Sequence, residues 1–404
     1  MIYILFVVCI ASVSLNIYTY FDKKKASSPT NTTPLLPQTD DVDVHVTKEP
    51  ELPSGWWRDE SQFQLERRAI FSKTWICVSH RSRFGKPGDY VTFEVAGFPF
   101  FLILGKDSVV RAFHNVCRHR AYSVTKKAAG SSLVLGCRYH GWSYDTRGRL
   151  TKAPEFDKVP GFDKAQNSLF EIHARVDAHG FVYVNLDASE EAGDGELWEV
   201  TKVGKPTEIN HDSCWLHCWE FKGKFNWKGN TDDASPTFGG LPTSRFFRAL
   251  ESCGYSMTGQ LRFFPLATVY TKNGSPFWYK ITFSPDSPTQ TTVWCDVYST
   301  KYTNAFRFEG AVKDGLEKEM KSKIHALEEQ YAELEASNTF QEESGTFWIQ
   351  ATITTMVKEH LKKERAAGEQ IHPAAVQQCR SSSFAQAEKR KWSLRDPLGT
   401  LLIP

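Results

Sequence analysis

Two short clusters of metal-ligating side chains stand near each other in the chain. They are Cys117-Arg118-His119 and, seventeen residues on, Cys137-Arg138-Tyr139-His140. Thiolate sulfur and imidazole nitrogen are ligands for zinc and for iron, and two of each could complete one tetrahedral zinc site. The distribution inside each cluster points elsewhere. Zinc fingers usually pair Cys with Cys and His with His, whereas each short loop here carries one of each. A [2Fe–2S] centre with two thiolates on one iron and two imidazoles on the other needs that mixture, presented by two opposed loops. Neutral imidazoles in place of two thiolates leave such a cluster less negative and raise its potential. Two structural thiols beside incidental histidines are the bland alternative. Other histidines, such as His45, His80 and His173, have no such spacing and read as surface or hydrogen-bonded core residues.

The surrounding sequence supplies elements that could hold two loops in place. Tyr90 to Val95, Pro99 to Leu104, Val109 to Phe113 and Phe181 to Leu186 are short β-branched or aromatic runs. Turn formers bound them: Gly88-Asp89, Gly97, Gly105-Lys106 and Gly180. A small antiparallel β domain follows from this pattern. Further on, Phe263 to Tyr270, Phe277 to Phe283 and Thr291 to Tyr298 read as successive strands. Leu316, Met320, Ile324, Leu327, Tyr331 and Leu334 recur at steps of three and four, an amphipathic helix expected to pack on its own sheet. A second helix is expected from about Trp348 to Ala367, stopped by Gly368.

The run Cys117-Arg118-His119-Arg120 with Cys137-Arg138-Tyr139-His140-Gly141-Trp142-Ser143-Tyr144, then Gly148, resembles the Rieske domain of the Rieske non-haem iron oxygenases, nearest to choline monooxygenase-like and fungal members. Ala121 departs from the family's usual Gly, which touches loop packing and not ligation. The resemblance implies that Cys117 and Cys137 hold one iron of a [2Fe–2S] cluster and His119 and His140 the outer one. It continues more weakly past residue 190, where Phe225-Asn226-Trp227-Lys228 is similar to the opening of the family's catalytic domain. The fold class it implies is α+β: an all-β Rieske domain over residues 55–188, then a helix-grip domain, a curved antiparallel sheet plus helices, over residues 189–404. It also implies a mononuclear Fe(II), a separate electron-donating reductase, O2, a small organic substrate and a homotrimer in which electrons cross between subunits.

The second iron is where the sequence departs from that pattern. A two-histidine, one-carboxylate triad would be expected soon after the Asn-Trp-Lys opening. Counting from Asn226 puts the two histidines at Gly239 and Ser244 and the bridging acid at Pro236, none of which can serve. No His-x-x-x-x-His pair follows Asn226: the one such spacing, His114 and His119, falls at the first metal-ligating cluster, and His211 and His217, the close pair nearby, precede Asn226. Glu359 and Glu364 on the late helix are placed for a carboxylate ligand, yet acids on a Lys-rich helix are expected to be solvated. A deletion in the gene model or a genuine loss of the iron site would each explain the loop-like composition from Gly229 to Leu250.

Composition sets the remaining bounds. The 404 residues are too many for one compact core. Lys and Arg number 49 against 47 Asp and Glu, a net charge of +2 that gives no case for nucleic acid. Nine cysteines are too few for a disulfide scaffold and suit a reducing compartment. Ile2 to Phe21 form an apolar run long enough to cross a bilayer, followed at once by Lys23, Lys24 and Lys25. Residues 1–22 therefore read as a transmembrane anchor with the remainder facing the cytosol, in the endoplasmic reticulum; a cleaved signal peptide is the rival reading, but its basic start and small-residue cleavage site are missing. Glycosylation at Asn31-Thr32-Thr33 would reverse that orientation. Residues 23–54, rich in Pro, Thr, Ser and Asp, read as a disordered linker. No Gly-x-Gly-x-x-Gly nucleotide fingerprint is present, so a reductase would be a separate protein. Two functions fit: an oxygenase component taking electrons from that reductase, or a membrane-tethered electron carrier or scaffold with an inactive oxygenase domain.

Overall fold

The computed structural model describes residues 55–156, 159–189, 192, 199–203, 209–231, 258–272, 275–301, 308, 310–337 and 347–372. The expected anchor, the linker with its glycosylation sequon, and positions 236, 239 and 244 lie outside the described residues. Among the described residues no helix is long and apolar enough to cross a membrane.

The ordered chain starts with helix α1 (Glu60–Glu66), capped by the Asp59 carboxylate, which accepts from the Ser61 N–H at 2.6 Å. A π-helical turn over Arg67–Phe71 then buries Ala69, Ile70 and Phe71. Ten strands follow: β1 (Ile76–His80), β2 (Asp89–Val95), β3 (Phe98–Leu104), β4 (Val110–His114), β5 (Ala129–Ser131), β6 (Val134–Gly136), β7 (Ser143–Asp145), β8 (Leu150–Lys152), β9 (Glu171–Val176) and β10 (Phe181–Asn185). They build an antiparallel sheet in the order β1-β10-β9-β4-β3-β2-β5 and a small one, β6-β7-β8. The four strands expected in this part are all present, within a residue or so at their ends.

Six strands form the second sheet: β11 (Glu199–Val203), β12 (Cys214–Gly223), β13 (Thr258–Phe263), β14 (Ala267–Lys272), β15 (Phe277–Ser287) and β16 (Gln290–Ser299), in the order β11-β13-β14-β15-β16-β12. The run from Phe263 to Tyr270 is not one strand. It breaks over Phe264-Pro265-Leu266 between β13 and β14, where Pro265 has no N–H to give a ladder. Helix α2 (Ala311–Ser337) buries Leu316, Met320, Ile324 and Tyr331 against Tyr279, Phe283, Val293 and Val297 of the sheet. Helix α3 (Phe347–Ala367) ends where Gly368, at φ +74, returns its N–H to the Glu364 carbonyl.

The two sheets share their apolar packing. One core cluster joins Ile70, Phe71, Val95 and Phe100 to Trp227, Phe264, Leu266, Ile353 and Val357. Another sets Trp75, Cys77, Phe181 and Tyr183 against Phe263, Val269, Trp278 and Tyr298. A buried charge cluster spans the same junction: Arg83 meets the Asp296 carboxylate at 3.1 Å, and Trp215 Nε1–H donates to it at 3.1 Å. His80, fully buried, is hydrogen-bonded to Ser82 Oγ and the His179 carbonyl, and burial holds its pKa down to about 4.

Asn226-Trp227-Lys228 clamps the start of the chain onto this junction. Asn226 Nδ2 donates to the carbonyls of Trp57 (2.9 Å) and Pro288 (2.7 Å), and Trp227 Nε1–H donates to Glu66 Oε2 at 3.1 Å. The Lys228 ammonium reaches Glu66 Oε1 and the Trp56 carbonyl and lies 4.3 Å from the Trp56 ring centre. Lys228 and Glu66 are each 1% exposed, so neither charge has water to fall back on. Lys228→Met leaves Glu66 as a lone buried carboxylate and is expected to cost about 3–5 kcal/mol. Adding Glu66→Leu should recover part of that loss, because the stranded charge goes with it. Urea unfolding of the two variants checks this, and a double variant no more stable than the single contradicts it.

Candidate metal centre

Both metal-ligating clusters lie on loops with the same backbone wiring. In the first loop, between β4 and β5, Cys117 N–H donates to the Tyr122 carbonyl (2.8 Å) and Ala121 N–H returns to the Cys117 carbonyl (2.9 Å). In the second, between β6 and β7, Cys137 N–H donates to the Trp142 carbonyl (2.8 Å) and Gly141 N–H to the Cys137 carbonyl (3.0 Å). In each, the residue four beyond the cysteine turns the chain with a positive φ: +55 at Ala121 and +72 at Gly141. That places the family's usual Gly in conformational terms: the loop needs left-handed backbone there, and Ala121 adopts it against its own preference. The first loop is pinned at its base by Asn115, whose Nδ2 donates to the Thr125 carbonyl (2.8 Å) while its Oδ1 accepts the Thr125 N–H (3.0 Å).

The four side chains come together at the loop tips. Cys117, Cys137 and His119 are buried, and His140 is half-buried. The two imidazoles meet edge-to-face with ring centres 4.5 Å apart. His119 stacks on Trp142 (5.0 Å, 12° between planes), and the His140 ring is 3.9 Å from that of Tyr139. Burial pushes the Cys117 thiol up to about 11, the Tyr144 hydroxyl opposes that shift, and the Cys137 sulfur adds to it. Two thiolates this close repel unless a cation lies between them, and a bound metal would displace their protons.

The donor set fits two irons better than one zinc. Among the described residues no three His, Cys, Asp or Glu side chains gather closely enough to hold a single ion. Tetrahedral zinc needs four donors at one centre, whereas a mixed-ligand [2Fe–2S] unit needs a sulfur pair at one iron and a nitrogen pair at the other. A neighbouring cysteine pair and a neighbouring histidine pair correspond to the second.

Sequence spacing did not reveal the role of Tyr144. Its buried hydroxyl lies 3.2 Å from Cys117 Sγ and accepts the Arg118 N–H at 3.1 Å. With its oxygen engaged by Arg118, the O–H is left to donate to sulfur. Burial first, and then the adjacent Cys117, raise its pKa and keep it a phenol. A tyrosine two residues beyond Trp142, on a three-residue strand with both neighbours half-exposed, was the available signal.

The other candidate residues do not converge on a second site. His211 lines a cavity of about 430 Å³ with Arg81, Ser82, Phe84 and Asp212, whereas His217 packs on Trp219 with ring centres 4.6 Å apart. Glu359 is exposed, as expected of it. Glu364 is not solvated: it is 7% exposed and takes Arg68 Nε at 2.7 Å, His360 Nε2 at 3.1 Å and the Ile371 N–H at 3.0 Å. Its position on the helix face toward α1 and the π-helical turn overrides the Lys-rich composition around it.

Residues 74–163 match the Rieske [2Fe-2S] domain. The carnitine monooxygenase oxygenase subunit of Acinetobacter pittii (strain PHEA-2) is 37% identical over 148 residues, covering 37% of this chain and 40% of the relative. That of Escherichia coli (strain K12) is 31% identical over 183 residues, 45% of this chain and 49% of the relative. The chain thus spans about half or less of the length of these curated relatives. In fold it is similar to a quaternary ammonium Rieske monooxygenase crystallised with L-carnitine, at a TM-score of 0.58 and 21% identity over 76% of this chain and 95% of that one. Loop wiring, donor set and these likenesses define a Rieske-domain protein with a second, helix-backed antiparallel sheet. Residues 74–163 are thus a Rieske domain similar to that of the named oxygenase subunits, and the fold is similar to that of a Rieske monooxygenase.

The paired loops give a test of their backbone. Gly141→Ala forces a left-handed alanine whose Cβ would sit 3.3 Å from Pro154 Cγ, and should cost about 1–2 kcal/mol. Ala121→Gly relieves the same strain but loosens the unfolded chain, so a gain of no more than about 1 kcal/mol is expected. Denaturant midpoints of both variants check the opposite signs.

Proposed function

We propose that the chain is the oxygenase component of a Rieske-type system, taking electrons from a separate reductase for O2-dependent oxidation of a small organic substrate. Cys117 and Cys137 would hold one iron of the [2Fe–2S] cluster and His119 and His140 the other. The observation that carries this reading is the pair of identically wired loops bringing two thiols and two imidazoles together. When bound, the cluster supplies a one-electron relay. The chain's own residues would set its surroundings: burial of both cysteines excludes water, and Trp142 fixes the plane of His119. Half-buried His140 sits at the rim beside Tyr139.

A second reading has its own observation. No His-x-x-x-x-His pair follows Asn226, so a mononuclear iron would lack two of its three expected anchors there. A Rieske electron carrier or scaffold with an inactive oxygenase sheet follows from that. The apolar run Ile2 to Phe21 with Lys23–Lys25 supports a tether to the endoplasmic reticulum membrane in either case, with the domains on the cytosolic side. A homotrimer is part of the first reading.

Metal analysis separates the readings. About two irons and two acid-labile sulfides per chain support the cluster, and about one further iron supports the oxygenase over the carrier. Zinc without sulfide would defeat both. Product formation by the recombinant protein with a supplied reductase would overturn the carrier.

Tyr144→Phe removes one donor to the Cys117 sulfur while leaving the ring in place. A hydrogen bond to a cluster thiolate favours the more negative, reduced state, so its loss should lower the potential by tens of millivolts. Iron and sulfide content should stay unchanged. Protein-film voltammetry measures the shift, and a potential that does not move would show that the hydroxyl does not donate to sulfur.

A further inference from the structure

The junction of the two sheets holds a cavity of about 430 Å³, and none of its lining residues belongs to the metal-ligating loops. Each half of the chain supplies one wall. Arg81 and Ser82 stand on the first, in the single helical turn over Arg81–Arg83 that follows β1. His211, Asp212 and Ser213 stand on the second, in the turn that leads into β12. Both walls are fixed by hydrogen bonds. Arg81 N–H donates to the Gly180 carbonyl at 2.7 Å, and Trp278 Nε1–H donates to Ser213 Oγ at 3.3 Å. Ser213 N–H returns to the Asn210 carbonyl at 3.1 Å and closes the second turn. Walls that are built before a ligand arrives lose little ordering entropy on binding.

The charge of this cavity is cationic. The half-buried Arg81 guanidinium gives an N–H to the Phe84 carbonyl and has no carboxylate partner among the described residues. Asp296, the buried acid of the junction, already serves two cations, Arg83 at 3.1 Å and Lys280 at 3.6 Å. Asp212 is the opposing charge on the wall, and it is exposed, where solvent screens it. His80 reports the balance from behind Ser82, whose Oγ lies 2.8 Å from its Nδ1. Burial is the main cause of its low pKa, and His211, Arg81 and Lys280 push it the same way against the His179 carbonyl. Arg81 and His211 thus act on one point from opposite walls.

We propose that this cavity binds a small oxyanion, a carboxylate or phosphate group, held between Arg81 on one wall and His211 on the other. The guanidinium fork matches two oxygens of either group, and the imidazole N–H supplies a further donor. A ligand that touches both walls ties the first sheet to the helix-backed one and stabilises the junction by its own binding free energy. A metabolite carrying such a group would therefore act as an effector, apart from any chemistry at the metal loops. The inference does not depend on the oxygenase reading.

Calorimetric titration of the purified full-length chain tests it. Inorganic phosphate and succinate are the probes, with sodium chloride at matched ionic strength as the control. Phosphate stabilises many proteins by exclusion from their surface, so saturable heat of binding, and not melting, is the readout. Saturable binding is expected for phosphate or succinate and none for chloride, and the tighter of the two names the group. Arg81→Met should weaken binding by at least about tenfold, because charge-assisted hydrogen bonds are lost. His211→Ala should weaken it by about two- to tenfold. Asp212→Asn should tighten it by about two- to fivefold, because a like charge leaves the rim. Arg81 also holds the Phe84 carbonyl, so a damaged fold would imitate the first result, but it would not imitate tighter binding in Asp212→Asn. Lys106→Met, at an exposed position between β3 and β4, should change nothing. Heat that never saturates, equal binding of chloride, indifference to Arg81→Met, or weaker binding in Asp212→Asn would overturn the proposal.

Discussion

Everything at the candidate centre depends on a backbone constraint: two loops, each closed by an N–H folded back on its own cysteine carbonyl, four residues apart. That closure fixes where the sulfur emerges, and the imidazole two or three residues on has little choice but to emerge beside it. The sulfur atoms end buried, and burial first, with the neighbouring Cys137 adding to it, raises the Cys117 pKa and disfavours a pair of bare thiolates. Neutralisation by proton or by metal resolves the conflict, and the second option links the loops to each other.

The residues that do not touch the metal donors explain why the loops hold their shape. Asn115 and Thr125 tie the ends of the first loop, Trp142 carries the His119 ring, and Tyr144 bridges Cys117 and the Arg118 amide. Tyr144 lies on β7, Asn115 directly follows β4 and Trp142 directly precedes β7, and these strands are backed by Phe113, Leu135, Tyr144 and Phe156 in one cluster. The small sheet has three strands of only three residues each. Its aromatic backing makes it part of the larger one.

Much of this was legible in the sequence because the signals were local. Cys-x-His and Cys-x-x-His announce their ligand set by spacing, and α2 announces its buried face by the period of Leu316, Met320, Ile324 and Tyr331. What escaped depended on distant partners. Glu364 reads as one acid among lysines until Arg68, almost three hundred residues earlier, is placed against it. Asn226-Trp227-Lys228 was recognisable as a motif, but nothing local reveals that its work is to hold Trp56, Trp57 and Glu66. The strand expected through Pro265 failed for a different reason: hydrophobic content continued across a residue that cannot serve a ladder. Ala121 was visible as a departure, and only its φ shows what the departure costs.

The shared packing between the sheets bears on how this chain can be handled. Ile70, Phe71, Val95 and Phe100 are covered by side chains that arrive from Trp227 onward, some of them from the last helix. A fragment ending near residue 189 would present that oily seam to solvent, inviting self-association and insolubility. The cofactor-bearing half is thus no portable cassette. Anyone excising it for redox engineering would have to resurface the seam first, or carry the helix-backed sheet along as its permanent lining.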